Sequence, residues 1–438
     1  MKTAVSYILA VSLFALVSSC ATTSGRRSAA DYLQEIQILQ QRLIQNPNDA
    51  ATLRELGVAY FQIKDFDPAK QHLYRAFVLV PLDARSMFYY GMTLEFLGHI
   101  ESALAVYVNF TEISTQSPYR KLIEGRYQAL VREVIRKQLL STIANEKQLG
   151  ASQVSPKAIA VFPLHYQGND ERFVALSKGL SELILVDLGQ VKGIQLIERI
   201  RTEELLNELK FSQSAFVDRA SAPRLGKLLS AGRVVAGSFN VQKTVFRMDV
   251  AAWDIVQRKF PDFTSKADDL DNLFKVQKEM VFSLIRELGI ALTQEEREKI
   301  QLIPTKNFLA FMNYCMGLRS EDALDFTAAI VYYKQAVSLD PGFVIAQKKV
   351  SAMEAINTAG GPKEHALSLA QRLDRPLIEL SSERRRRLVD IRLGHLTEGM
   401  GNTFLPGNDN RDPVEEAVRG GAVGKLPEPP HPPRPPGE

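Results

Sequence analysis

The sequence predicts a mixed α+β chain in which helical repeats flank a central α/β segment with a small sheet. Three observations carry this. A set of small and aromatic residues recurs after 34 residues near the N-terminus (Gly57 to Gly91) and again far downstream at Gly317. Between the copies the apolar period changes from helical to strand-like. The two ends fit neither pattern, the first being short and apolar and the last rich in proline.

The chain has 438 residues, room for two or three domains. At 45% hydrophobic and 24% charged it has the composition of a globular protein. A net charge of +4 over this length is too small an excess to point to nucleic acid, so none is expected as a partner.

Met1-Lys2 opens the chain, Ala4 to Val17 is mostly apolar, and Ser18-Ser19-Cys20 follow. A basic start, a short apolar core and a small-residue site read as an export signal. The run is shorter than the ~20 residues a membrane span needs. Leu16-Val17-Ser18-Ser19-Cys20 resembles the lipobox of bacterial lipoproteins. That resemblance implies a signal peptide over 1–19, lipidation at Cys20 and a membrane tether over 20–30. With Ala21 rather than Asp after the cysteine, it implies an outer-membrane lipoprotein facing the periplasm. Cys315, the second of two cysteines, then has no partner for an internal disulfide. Between Tyr314 and Met316 it reads as a small buried apolar residue.

A helical segment is expected over 31–150. Leu33, Ile36, Leu39 and Leu43 recur at helical spacing up to Pro47. Leu56-Gly57, Tyr60, Ala69, Leu73, Ala76 and Pro81 then match the tetratricopeptide pattern. Gly57 and Ala69 let two helices approach, Tyr60 and Leu73 fill the space between them, and Pro81 stops the second. A second copy holds Gly91, Leu94, Ala103 and Tyr107. Phe88, Tyr89 and Tyr90 are candidate partner contacts on its first helix. A third copy keeps Gly317, Ala329, Tyr333, Ala336 and Pro341, with Ser320 where Tyr60 stands in the first. Phe343 to Ile356 supplies a following helix. Stacked pairs need neighbours, so this lone copy must pack on the middle domain, on the N-terminal pair or on another chain.

The central domain is expected over 155–262. Ala158 to Pro163 and Gly193 to Glu198 read as strands; Phe173 to Leu188, Thr202 to Leu209 and Ala222 to Leu229 read as helices. Arg233 to Val241 and Val245 to Val256 form a hairpin, with Phe246, Met248, Val250 and Ala252 on one face. The order β-α-β-α-α-β-β describes a layered α/β unit. Asp268, Asp269 and Asp271 read as the N-terminal charges of a helix reaching Leu288. A helical segment with the third repeat is expected over 268–398; it carries Arg384 to Arg387, which read as a solvated helix face. From 399 to 438 the chain becomes a proline-rich tail.

No catalytic or metal-binding motif stands out. The six histidines are scattered, and no His-Glu-x-x-His, Cys-x-x-Cys or Gly-x-Ser-x-Gly occurs. No catalytic residue, metal ligand or cofactor is assigned.

Residues 158–258 resemble the periplasmic core of curli-secretion (CsgG-like) lipoproteins. The resemblance rests on Ile159 to Pro163, Leu176 to Leu180, Asp187-Leu188, Ile197-Glu198-Arg199 and Leu225 to Ser238. It implies an envelope assembly factor, or a component of an oligomeric export channel that self-associates through the central domain. The repeats point to binding of envelope proteins or peptides, and hence to a non-enzymatic, lipid-anchored scaffold.

Overall fold

The computed structural model describes residues 27–149, 154–210 and 218–379. The lipobox with Cys20, the Arg384 to Arg387 run and the proline-rich tail lie outside them. Residues Arg27–Ala370 form one compact unit; of the other unit only Gln371–Glu379 is described.

Six helices open the described chain: α1 (Ala29–Gln45), α2 (Ala50–Gln62), α3 (Phe66–Leu79), α4 (Ala84–Phe96), α5 (Ile100–Tyr107) and the long α6 (Pro118–Ala144). Asp49 and Asp83, 34 residues apart, cap α2 and α4 by accepting from Thr52 N and Ser86 N. The turn inside each repeat places one residue in the left-handed region: Lys64 (φ 62°), Gly98 (φ 78°) and Leu324 (φ 61°). These turns close each helix pair.

At the repeat spacing, small residues face the second helix of each pair. A Cβ on Gly57 would meet the Leu73 side chain at 2.5 Å, and one on Gly317 would meet the Tyr333 ring at 2.5 Å. Gly91 faces the Tyr107 ring in the same way. Ala69, Ala76, Ala103, Ala329 and Ala336 are fully buried. Tyr60 stacks on His72 and accepts a hydrogen bond from Gln40, joining α1, α2 and α3. Pro81 and Pro341 follow the residues that end the second helices.

The third repeat, α12 (Phe308–Asp322) and α13 (Phe326–Leu339), is followed by α14 (Val344–Ala359) and α15 (Lys363–Glu379). It packs in cis, on both the N-terminal helices and the middle domain. The glycine spacing continues one step further, to Gly125 in α6. There a Cβ would lie 2.2 Å from Ala355 O and 2.9 Å from Ala359 Cβ. So α14 occupies the place that the second helix of a repeat takes at Gly57, Gly91 and Gly317. The helices stack in the spatial order α2, α3, α4, α5, α6, α14, α13, α12, and the α/β layer is inserted between α6 and α12.

That layer holds a sheet ordered β3-β1-β4-β5-β6, with β2 also on β4. The strands are β1 (Ser155–Val161), β2 (His165–Tyr166), β3 (Gln195–Leu196), β4 (Ala231–Gln242), β5 (Val245–Asp254) and β6 (Thr264–Asp269). β1 is parallel to both β3 and β4; β4, β5 and β6 are antiparallel. Helices α7 (Leu176–Leu188) and α10 (Leu273–Glu287) cover one face, where Phe246, Met248, Val250 and Ala252 point. Helices α8 (Arg199–Glu208) and α9 (Ala222–Leu228), with the end of α6, cover the other over Trp253, Ala251 and Val234. α11 (Gln294–Gln301) leads to α12.

Three expectations are corrected here. The helix reaching Leu288 begins later than Asp268: Asp268 and Asp269 end β6, Asp269 caps a short 3-10 turn (Leu270–Asn272) by accepting from Asp271 N, and α10 starts at Leu273. The alternating Thr264-Ser-Lys-Ala-Asp-Asp run pairs with β5 instead, so the sheet passes the expected limit at 262. Asp268 accepts from Lys275 and Asn272 at the turn. Gly193 to Glu198 shrinks to a two-residue strand at the sheet edge.

Candidate functional site

Two features of the repeat array can bear function, an exposed apolar surface and a buried ionic hub.

Of the expected partner contacts, Phe88 and Tyr89 are fully buried. Phe88 packs on Tyr89 and Tyr119, and Tyr89 on Phe61. Helix α4 is buried on almost every side, from Arg85 to Tyr89 and Gly91 to Glu95. Its sequence from Ser86 to Leu94 contains no charge, the mark of a helix covered all round. The inner face of this repeat is therefore not open to a peptide at α4. Tyr90 alone reaches outward. Its ring lies 5.8 Å from both Tyr74 and Phe77 of α3, and burial raises its hydroxyl pKa, with Tyr74 adding to the shift.

Tyr74 and Val78, one helical turn apart, are 53% and 54% exposed. Leu79, Val80 and Leu82 follow, also exposed. The corresponding positions of the third repeat are Lys334 and Ser338, and Lys334 pairs with Glu354. The third repeat is polar at these two positions, although it exposes Val331 and Leu339 elsewhere.

Behind it, two repeats share a buried carboxylate four residues after the glycine, Glu95 and Glu321. Tyr107 Oη donates to Glu95 at 2.9 Å and Tyr333 Oη to Glu321 at 2.7 Å. Arg126 of α6 pairs with Glu95 and also donates to the carbonyls of Ala359 and Gly361. Lys363, at the start of α15, donates to Glu95 O and lies over the Phe96 ring at 4.3 Å. Glu321 has a fuller shell: Arg132 of α6 at 3.1 Å, Lys349 of α14 at 2.9 Å and Arg199 of α8 at 3.3 Å. Burial alone would raise its pKa, but these cations hold it well below the usual carboxylate range.

Next to it, Asp322 Oδ1 sits 2.6 Å from Arg199 Nη1 and Oδ2 meets Lys178 Nζ. Lys178 also holds Glu203 at 2.7 Å, and Arg199 Nε lies 3.3 Å from Glu182. Burial, with Asp322 beside it, raises Glu203. Four acids (Glu182, Glu203, Glu321, Asp322) meet four bases (Arg132, Lys178, Arg199, Lys349). The hub joins N-terminal helix, inserted layer and third repeat, and such a balanced cluster fixes geometry more than it adds stability.

Among the described residues no group of His, Cys, Asp and Glu could hold a metal ion, and no helix is long and apolar enough to cross a membrane. Cys315 is buried, with Gly179 of α7 packed on its sulfur side, and burial pushes its thiol pKa up.

No family model and no curated protein matches the chain. Solved structures it resembles include a tetratricopeptide repeat protein from Parabacteroides merdae, at 10% identity over 74% of this chain and 93% of that one, TM-score 0.21. Yeast Tom70 is similar at 13% identity over 80% of this chain and 66% of that one, TM-score 0.23. Likeness at that level leaves the assignment with the molecule's own geometry: a mostly helical, tetratricopeptide-like array with a small mixed sheet set into it.

Proposed function

We propose that this chain is a non-enzymatic scaffold that binds protein partners through its repeat array, anchored by lipid at Cys20 and facing the periplasm from the outer membrane. The observation that carries the binding role is the exposed pair Tyr74 and Val78, with half-buried Phe77 and Tyr90 beside them, on an array whose inner face at α4 is filled. Exposed apolar patches on otherwise well-packed proteins mark interaction sites. The anchor and the compartment rest on the lipobox resemblance, and a role in envelope secretion or assembly rests on the likeness of residues 158–258 to CsgG-like lipoproteins.

The experiment compares native complexes extracted from envelopes in mild detergent for the wild type, Cys20→Ala and the pair Tyr74→Ser, Val78→Ser. A scaffold gives a small oligomer carrying other envelope proteins, lost in the Tyr74/Val78 variant although its circular dichroism is unchanged. Retention of those proteins would remove the patch from the reading. A large ring of this chain alone would favour the channel instead. Cys20→Ala should leave the membrane fraction; if it stays, the lipid anchor is wrong.

A further inference from the structure

The apolar row of β5 ends in a carboxylate. Phe246, Met248, Val250 and Ala252 face α10, and Asp254 continues the same alternation. Arg233 of β4 is its cross-strand partner. Helix α10 reaches its C-cap at Leu288, and Gly289 (φ 69°) turns the chain away. A cavity of about 300 Å³ is left over the Arg233–Asp254 pair, with Ala252 and Leu288 on its apolar side and Lys259 and Glu287 also in its wall. That volume is at the lower end for ligand pockets.

The charged groups in this cavity keep hydrogen-bonding capacity in hand. The Arg233 side chain is 24% exposed, yet its ion pair with Asp254 spans 3.8 Å, too long for a hydrogen bond. Arg54, at 26% exposure, reaches two carboxylates at 2.9 and 3.1 Å. Asp254 Oδ1 accepts from Gln257 N and Glu287 Oε1 from Thr264 Oγ1, which leaves the second oxygen of each acid.

We propose that this cavity binds a free α-amino acid with a small aliphatic side chain. The Arg233 fork takes the carboxylate, the group its geometry matches. Asp254 Oδ2 and Glu287, beside the negative end of α10, take the ammonium. Ala252 and Leu288 receive the side chain. Arg233 and Lys259 balance Asp254 and Glu287, so a lone anion or a lone cation would leave one charge unmatched, whereas a zwitterion leaves none. The site lies in the inserted layer and does not depend on the proposed partner surface.

The test is equilibrium dialysis of L-valine against the full-length protein in mild detergent. Valine should bind saturably. Isovalerate lacks only the ammonium and isobutylamine lacks only the carboxylate. Each should bind about tenfold or more weakly, because it leaves a charged group of the site without its partner. Glycine should also bind more weakly, since it leaves Ala252 and Leu288 uncovered. Arg233→Met keeps the aliphatic stem and should lose about tenfold or more in affinity for valine. If that variant does not fold, the ligand series on the wild type gives the reading without it. No saturable valine binding, either isostere binding as tightly as valine, or full affinity in folded Arg233→Met would each overturn the site. Glycine binding as tightly as valine would overturn the aliphatic class.

Discussion

The hydroxyl of Tyr333 donates to the carboxylate of Glu321 at 2.7 Å, inside a shell formed by Arg132, Arg199 and Lys349. A hydrogen-bonded carboxylate with three cations around it is costly to neutralise, because the cations are then buried without a counter-charge. Glu321→Gln is expected to lose about 3–5 kcal/mol of stability, measured by denaturant unfolding. The pH dependence has a definite sign. Folded Glu321 titrates below its ordinary value of 4.5. Its contribution is therefore whole above that pH and is lost as the pH falls further. Glu203, raised in the fold, works the other way: its ionised form costs stability near neutrality, and protonation relieves that cost. Melting temperatures from pH 7 to 3 should fall less steeply below 4.5 in Glu321→Gln than in the wild type.

Gly125 tests the split repeat. An added methyl would meet the backbone oxygen of Ala355, which has no rotamer to escape by. Gly125→Ala should destabilise by about 1–3 kcal/mol and speed hydrogen exchange in α14. Gly361→Ala, with no atom near the new methyl, should do neither.

The three repeat turns predict opposite responses. Lys64 and Leu324 hold left-handed backbone that costs an ordinary residue roughly 1–2 kcal/mol. Glycine relieves that strain but loosens the unfolded chain, so Lys64→Gly and Leu324→Gly should each gain about 0.5–1 kcal/mol. Gly98→Ala should lose about 1 kcal/mol by the same reasoning. Thermal unfolding reads all three.

Cys315 should not react with a thiol reagent in the native protein, since burial both shields it and raises its pKa. Labelling should appear only with unfolding, at the rate of global opening. Labelling at native conditions would mean that α12 separates from α7.

The repeat helices were legible because Gly57, Gly91, Gly317 and Tyr333 carry a contact requirement that a fixed spacing exposes. Gly125 keeps the same spacing, yet no alanine-bearing second helix follows it in sequence, so the step was invisible without its distant partner. The shared glutamates were readable in principle, each four residues after a glycine and twelve before a tyrosine. Their cations come from other elements, which no local pattern encodes. Phe88 and Tyr89 misled because aromatic residues on a first repeat helix suit either a groove or a core. The uncharged stretch around them was the clue that favoured the core. Asp268 misled because an acidic residue serves helix starts and sheet edges equally well, whereas Asp269, the last residue of β6, does cap the turn that leads into α10.

The placement of α14 has a consequence for synthesis. Arg126 and Ala359 touch across 233 positions of sequence. A ribosome adding 5–20 residues per second needs roughly 12–47 s to cover that distance. Throughout that interval the apolar flank of α6 has emerged without its cover, while the inserted layer must find its own fold beside it. A chain threaded N-terminus first, from a ribosome or across a membrane, is therefore most open to aggregation, and most dependent on a holding factor, between the emergence of residue 144 and that of residue 359.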